Sequence, residues 1–221
     1  MQKHIIIFSH GFGTRSDDRG LFTDVAKGLP EVEPVLFDYN IVDETNRTLT
    51  ASTLSKQAEM FSAMVEKVRS ENPEAVIDVV AHSQGCIAVA MARFTGVRKI
   101  IFTAPSLASD IEHLINIFKD RPGTEINLES VSKLARNDGT VTLVPPEYWI
   151  ERKNIAPVPL YNALSLTAKL NIIIATKDQV LSRGKTDGLN ENTKIIILEG
   201  DHDFSKDTRI GLVAKIREIL I

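Results

Sequence analysis

The stretch VVAHSQG (79–85) places Ser83 between two small residues, Ala81 and Gly85, with apolar runs on either side. A polar side chain in an apolar surround costs free energy unless something satisfies it. The pattern small-x-Ser-x-small fits a sharp turn from a strand into a helix, which holds the hydroxyl clear of the sheet. Ser83 is then a candidate nucleophile, with Ala81 standing where the pattern usually has glycine. The other reading is a serine that caps the helix after it.

A serine nucleophile needs a base and a carboxylate to orient that base. The chain has five histidines, His4, His10, His82, His113 and His202. His202 lies in LEGDHDF, just after the last apolar run, where a loop reaches the same sheet edge as Ser83; otherwise it is a surface histidine. His82 adjoins the serine, but neighbours in a tight turn point different ways, so it reads as structural. His113 reads as exposed, and His4 starts a strand at the far edge. Asp178, in IIIATKDQVL, follows another strand end and supplies the acid, with Asp187 as the fallback. The order Ser83, Asp178, His202 is one in which this arrangement occurs. Asp201 and Asp203 flank the histidine too closely to orient it and read as loop-turn or solvated residues. An oxyanion would need two backbone donors. The Gln84 amide follows the nucleophile, and the Phe12 amide lies in SHGFG, where Gly11 and Gly13 permit close backbone approach.

These residues require strands that end together. HIIIF (4–8), PVLFDY (34–39), AVIDVVA (75–81), KIIFTA (99–104), NIIIAT (171–176) and KIIIL (194–198) read as strands. Helices read at 20–30, at 53–69 (capped by Ser52 or Thr53), at 85–94 and at 208–221. Apolar strands alternating with helices argue a parallel sheet covered on both faces. The interval 104–170 breaks this rhythm and is too long for a plain loop. Helices are expected there at 107–119 and around 128–136. The interval reads as a lid inserted over the carboxyl ends of the strands, or else as a surface excursion with no role in the site. Tyr148 and Trp149 either line a pocket or anchor the lid. Cys86 reads as a core thiol, and Met60 and Met64 as core fillers.

The whole chain bounds the remaining choices. Its 221 residues suit one domain, 1–221. A net charge of -3 from 26 basic and 29 acidic residues, well mixed, argues against a nucleic-acid partner. No apolar run reaches a membrane span or a signal-peptide core, so the expectation is a complete, cytoplasmic protein. The single cysteine excludes an internal disulfide and fits a reducing compartment. No metal or organic cofactor is implied, since the histidines lack ligand spacing and no phosphate-binding glycine loop appears.

HGFGTRSDDRGLFTDVAKGL, VLFDY, VVAHSQG, KIIFTAPSL, ATKDQVL and EGDHDF together resemble the α/β-hydrolases, in the branch of small carboxylesterases, monoacylglycerol lipases and feruloyl esterases. The resemblance implies an α/β fold with about six mostly parallel strands, helices on both faces and a small lid. It implies Ser83 as nucleophile, His202 as base then acid, Asp178 as orienting carboxylate, and Phe12 and Gln84 amides as the oxyanion hole. The lid at 104–170 would set substrate preference. The chain departs from the pattern at Cys86, where glycine is frequent, and at NIVDETN (40–46). The expected substrate is a small-molecule carboxylic ester with a small to medium apolar acyl or aryl group, in a pocket drawing on Gly11, Leu107, Leu143 and Trp149. Thioester, lactone or peptide cleavage uses the same triad, and a non-catalytic ligand-binding protein is the reading from another class.

Overall fold

The short β-branched runs pair into one parallel sheet whose carboxyl edge gathers the candidate residues. In the computed structural model, residues 2–108, 111–181 and 186–221 are described. The elements begin β1 (His4–Ser9), α1 (Leu21–Gly28), β2 (Glu33–Val35), β3 (Ile41–Asp43), β4 (Thr48–Thr50) and α2 (Leu54–Glu71). They continue with β5 (Val76–His82), α3 (Gly85–Met91), β6 (Lys99–Thr103), α4 (Ile111–Phe118), β7 (Ser132–Ala135) and β8 (Val141–Val144). The last are α5 (Pro146–Asn154), α6 (Pro157–Ser165), β9 (Lys169–Ala175), β10 (Lys194–Leu198) and α7 (Asp207–Leu220).

The main sheet has six strands in the order β10-β9-β6-β5-β1-β2, every pair parallel. Because successive side chains point to opposite faces, each strand feeds two cores. Ile5, Ile7, Ile77, Val79 and Ala81 pack with α2, α3 and α6 on one face. Ile6, Phe8 and Val80 pack with α1 and α7 on the other. Helix α2 presents Leu54, Ala58, Phe61, Val65 and Val68 inward, and Thr53 caps it by accepting the Lys56 amide at 3.4 Å. The open edge differs from the sequence expectation: Ile197 on β10 is 72% exposed, because among the described residues no element covers that side of an edge strand. Strand β2 is shorter than PVLFDY, since Tyr39 leaves the sheet to give its amide to His10 Nε2 and pair its hydroxyl with Ser9.

The interval 104–170 departs most from expectation. Helix α4 forms, but the helix expected around 128–136 is the strand β7. Ser132 and Leu134 are buried while Lys133 is exposed, an alternation of two that a helix cannot satisfy. The chain turns at Asn137-Asp138-Gly139, with Gly139 at φ 76, and returns as β8. An Asp-Gly pair between alternating runs is a hairpin signal. NIVDETN is no plain loop either, for β3 and β4 form a hairpin that joins the other in a four-stranded sheet, β3-β4-β8-β7. Among the described residues no helix is long and apolar enough to cross a membrane.

Candidate active site

Strand β5 ends at His82 and α3 begins at Gly85, so the turn has only Ser83 and Gln84. Ser83 takes φ 52, in the left-handed region that costs a side-chain-bearing residue free energy. Its amide donates to the Thr103 carbonyl at 3.0 Å, which fixes the turn against β6. Gly85 explains the tightness. A Cβ there would lie 2.2 Å from the Ser9 carbonyl oxygen and 2.6 Å from that of His10. Ala81 is fully buried and pairs in register with Ser9.

The loops after β9 and β10 bring the other two groups to the serine. His202 Nε2 lies 2.9 Å from Ser83 Oγ, and His202 Nδ1 lies 2.8 Å from Asp178 Oδ2. An ionised carboxylate only accepts, so Nδ1 carries the proton and Nε2 is free to accept from the serine hydroxyl. The second oxygen of Asp178 accepts the Val180 and Leu181 amides, each at 2.9 Å. Burial works to raise the Asp178 carboxyl, but its hydrogen bond to His202 and those two amides outweigh it and hold it below the usual carboxylate range. Ser83 and His202 are both buried, so water competes little for these bonds.

The remaining titratable groups divide as follows. Asp201 accepts the Ser205 amide at 2.7 Å, a loop-turn role. Asp203 is not simply solvated: it pairs with Arg19 at 3.0 Å and faces His82 at 3.6 Å. Burial works to raise its carboxyl, and its interactions with His82 and the Arg19 guanidinium outweigh that and hold it far below the usual range. Exposed Asp187, the fallback acid, lies in the single turn 186–188. His4 pairs with Asp78 at 2.7 Å on the amino edge of the sheet. His82 Nδ1 lies 3.1 Å from the Thr103 carbonyl, a structural role. His113 is half-buried rather than exposed, with Nε2 on the Val180 carbonyl at 2.7 Å. His82, His202 and Asp203 bring three potential metal-ligand atoms within 4.8 Å of one another, but both His202 nitrogens already have partners.

The candidate oxyanion donors meet at the serine. A Cβ at Gly11 would sit 3.3 Å from Ser83 Cβ, so the loop after β1 passes directly over Ser83. The Gly11 amide is tied to Asp18 Oδ2 at 2.7 Å. Among the described residues, the Phe12 and Gln84 amides have no hydrogen-bond partner. The Gln84 side chain is held by two residues that sequence reasoning missed. Tyr148 donates to its Oε1, and its Nε2 donates to Gln57 Oε1 at 3.2 Å. Gln57 was findable, since it is a polar residue on the apolar face of α2 that must have a partner. Nothing local pointed to Tyr148, which arrives from the inserted region.

A cavity of about 660 Å³ opens beside Ser83. Gly11 and Leu107 line it, with Phe12, Leu114, Ile117 and Phe118. Trp149 and Leu143 are not in its wall. Trp149 is buried behind Tyr148 and donates its indole N–H to Ser132 Oγ at 3.1 Å, so it anchors the inserted region. Leu143 pairs with Thr50 inside the four-stranded sheet. The turn of α5 instead carries Arg152 to the cavity, and the hairpin carries Arg136. Cys86 is fully buried, and burial pushes its thiol up, consistent with a core thiol. Met60 and Met64 pack on the core.

No family model and no curated protein matches the chain. Solved structures do match over nearly its full length. The α/β hydrolase GrgF from Penicillium sp. sh18 superposes with a TM-score of 0.66 at 18% identity, covering 99% of this chain and 88% of that one. Est1E from Butyrivibrio proteoclasticus gives 0.67 at 18% identity, covering 99% and 87%. The monoacylglycerol lipase of Paleococcus ferrophilus gives 0.65 at 14% identity, covering 98% and 93%.

Proposed function

We propose that this chain, which has the α/β-hydrolase fold, is a serine hydrolase of carboxylic esters. The observation that carries the reading is the hydrogen-bonded series Asp178–His202–Ser83, with links of 2.8 and 2.9 Å. Ser83 Oγ attacks the ester carbonyl while His202 Nε2 takes its proton. Asp178 keeps the imidazole in the required tautomer and stabilises the imidazolium that forms. The carbonyl oxygen becomes an oxyanion that accepts from the Phe12 and Gln84 amides, two donors fixed before the substrate arrives. His202 then protonates the leaving alkoxide, and water repeats the sequence on the acyl-enzyme to release the acid.

The residues 104–170, together with the β3–β4 hairpin, act as a lid that sets substrate preference. The cavity size suits a small molecule. Phe12, Leu107, Leu114 and Phe118 suit a small to medium apolar acyl or aryl chain. The lone buried thiol of Cys86 suits a reducing compartment such as the cytoplasm.

The test is labelling by a fluorophosphonate with intact-mass readout, alongside turnover of 4-nitrophenyl esters of increasing chain length. Wild type takes up one probe at Ser83 and hydrolyses the esters, and Ser83→Ala does neither while keeping its melting temperature. A folded wild type that neither labels nor turns over any ester overturns the reading.

A further inference from the structure

The cavity beside Ser83 carries cations that the ester reaction does not use. Arg136 reaches it from the β7–β8 hairpin, Arg121 from the end of α4, and Arg152 from α5. Arg136 donates from Nε to Thr142 Oγ1 at 2.8 Å and from Nη2 to the Phe12 carbonyl at 3.2 Å. Its guanidinium and that of Arg121 both lie on the Phe118 ring, at 4.8 and 4.5 Å. Among the described residues, Arg121 donates to the Ile117 and Ala135 carbonyls, and Arg152 to Ser106 Oγ and the Ala108 carbonyl. Among the described residues none of the three has a carboxylate partner.

Five acids share the wall, Asp17, Asp43, Glu44, Asp138 and Asp203. Glu44 pairs with Arg15, Asp203 pairs with Arg19, Asp43 accepts from Asn46, and Asp138 accepts from Thr140 while its charge favours the charged form of Arg136 without a direct ion pair. Arg152 is 5% exposed, yet its Nη1 has no acceptor. Burial, and then the like charges of Arg19 and Arg121, push Arg136 down to about 10. Burying a guanidinium with no carboxylate in direct contact is unfavourable, and the stacking on Phe118 only partly offsets it. A bound anion would relieve both the repulsion and the unmet donor. A guanidinium presents two parallel N–H groups that match a carboxylate.

We propose that the cavity selects esters whose far end carries a free carboxylate, with Arg136 as the principal anchor and Arg121 and Arg152 supporting it. This rests on the ester-hydrolase reading. It deepens it, because the apolar wall around Phe118 then takes the chain between the reacting carbonyl and the anion.

The experiment compares 4-nitrophenyl hydrogen adipate with its methyl-capped diester, which has the same chain but no charge. Charge-assisted hydrogen bonds predict kcat/KM about 10- to 100-fold higher for the free acid. Arg136→Gln brings that ratio toward one, and Arg136→Lys, with charge but no fork, restores part of it. Calorimetry on Ser83→Ala with monomethyl adipate against dimethyl adipate reads the anion site without turnover, and tighter binding of the monoester is expected. Equal or better turnover of the capped ester, or equal affinity in calorimetry, overturns the anion site and leaves the hydrolase reading standing. Failure to turn over any ester overturns the hydrolase reading, and the calorimetry alone then decides the anion site.

Discussion

Gly85→Ala tests whether backbone packing, rather than the serine alone, makes the turn. The added Cβ would meet the Ser9 carbonyl oxygen at 2.2 Å and the His10 carbonyl oxygen at 2.6 Å. An ordinary carbon–oxygen contact is longer by about 1 Å, so the end of β1 and the start of α3 must separate by about that distance. Neither side yields easily. Ser9 Oγ donates to the Gly85 carbonyl at 3.0 Å and also pairs with Tyr39, and β1 is hydrogen-bonded on both sides. Overpacking of this kind costs about 1–3 kcal/mol, or a melting temperature lower by roughly 2–12 °C for a domain of this size. The same displacement moves Ser83 relative to His202 and the Phe12 amide, and a shift of about 1 Å at reacting atoms costs on the order of 100-fold in rate. The assay pairs thermal melts with kcat/KM on a 4-nitrophenyl ester and the rate of fluorophosphonate labelling. A Gly85→Ala protein with wild-type melting and wild-type labelling would refute the claim that these two carbonyls set the turn.

Three further outcomes are expected. Asp178 titrates lower folded than unfolded, so it contributes stability above its unfolded value of ~3.9 that is lost as pH falls through its folded value. Melts from about pH 6 to about pH 2 should therefore show a gap between wild type and Asp178→Asn that closes at the acid end, and a gap constant across that range would contradict it. Asp78→Ala removes a fully buried carboxylate bound to His4 at 2.7 Å, Arg98 Nε at 3.1 Å and the Lys99 amide at 2.9 Å. It should cost about 2 kcal/mol in urea unfolding, with kcat/KM within about twofold of wild type, because Asp78 lies at the opposite end of β5 from Ser83. Tyr148→Phe leaves Gln84 Oε1 without its hydroxyl donor and should cost about 1–3 kcal/mol, and it should lower kcat more than it raises KM, because the proposed reaction uses the Gln84 amide in the transition state. An unchanged kcat in a stable Tyr148→Phe protein would show that the side chain of Gln84 does not position its amide.

Local patterns were sufficient for the sheet and for the groups at its carboxyl edge. A short β-branched run such as HIIIF carries a strand signal in its residue types, although burial depends on its place in the sheet, and the small-x-Ser-x-small turn is a backbone requirement written in two residues. Ser83, Asp178 and His202 each follow a strand, and parallel strands all end on one side, so their convergence follows from the order of elements. The walls of the cavity did not follow in this way. They are built where β4 pairs with β8, across a sequence separation that no window spans. The adjoining β7–β8 pairing makes a strand of residues 132–135, which read as part of a helix, and the inserted region turns Trp149 into the core and brings Arg136 and Arg152 into the cavity wall beside Ser83. Which side chain faces a cavity depends on register and on the partner across it. Both are properties of the folded packing, and so the convergence of Ser83, Asp178 and His202 was readable from the chain while the lining of the cavity beside them was decided only when the two hairpins met.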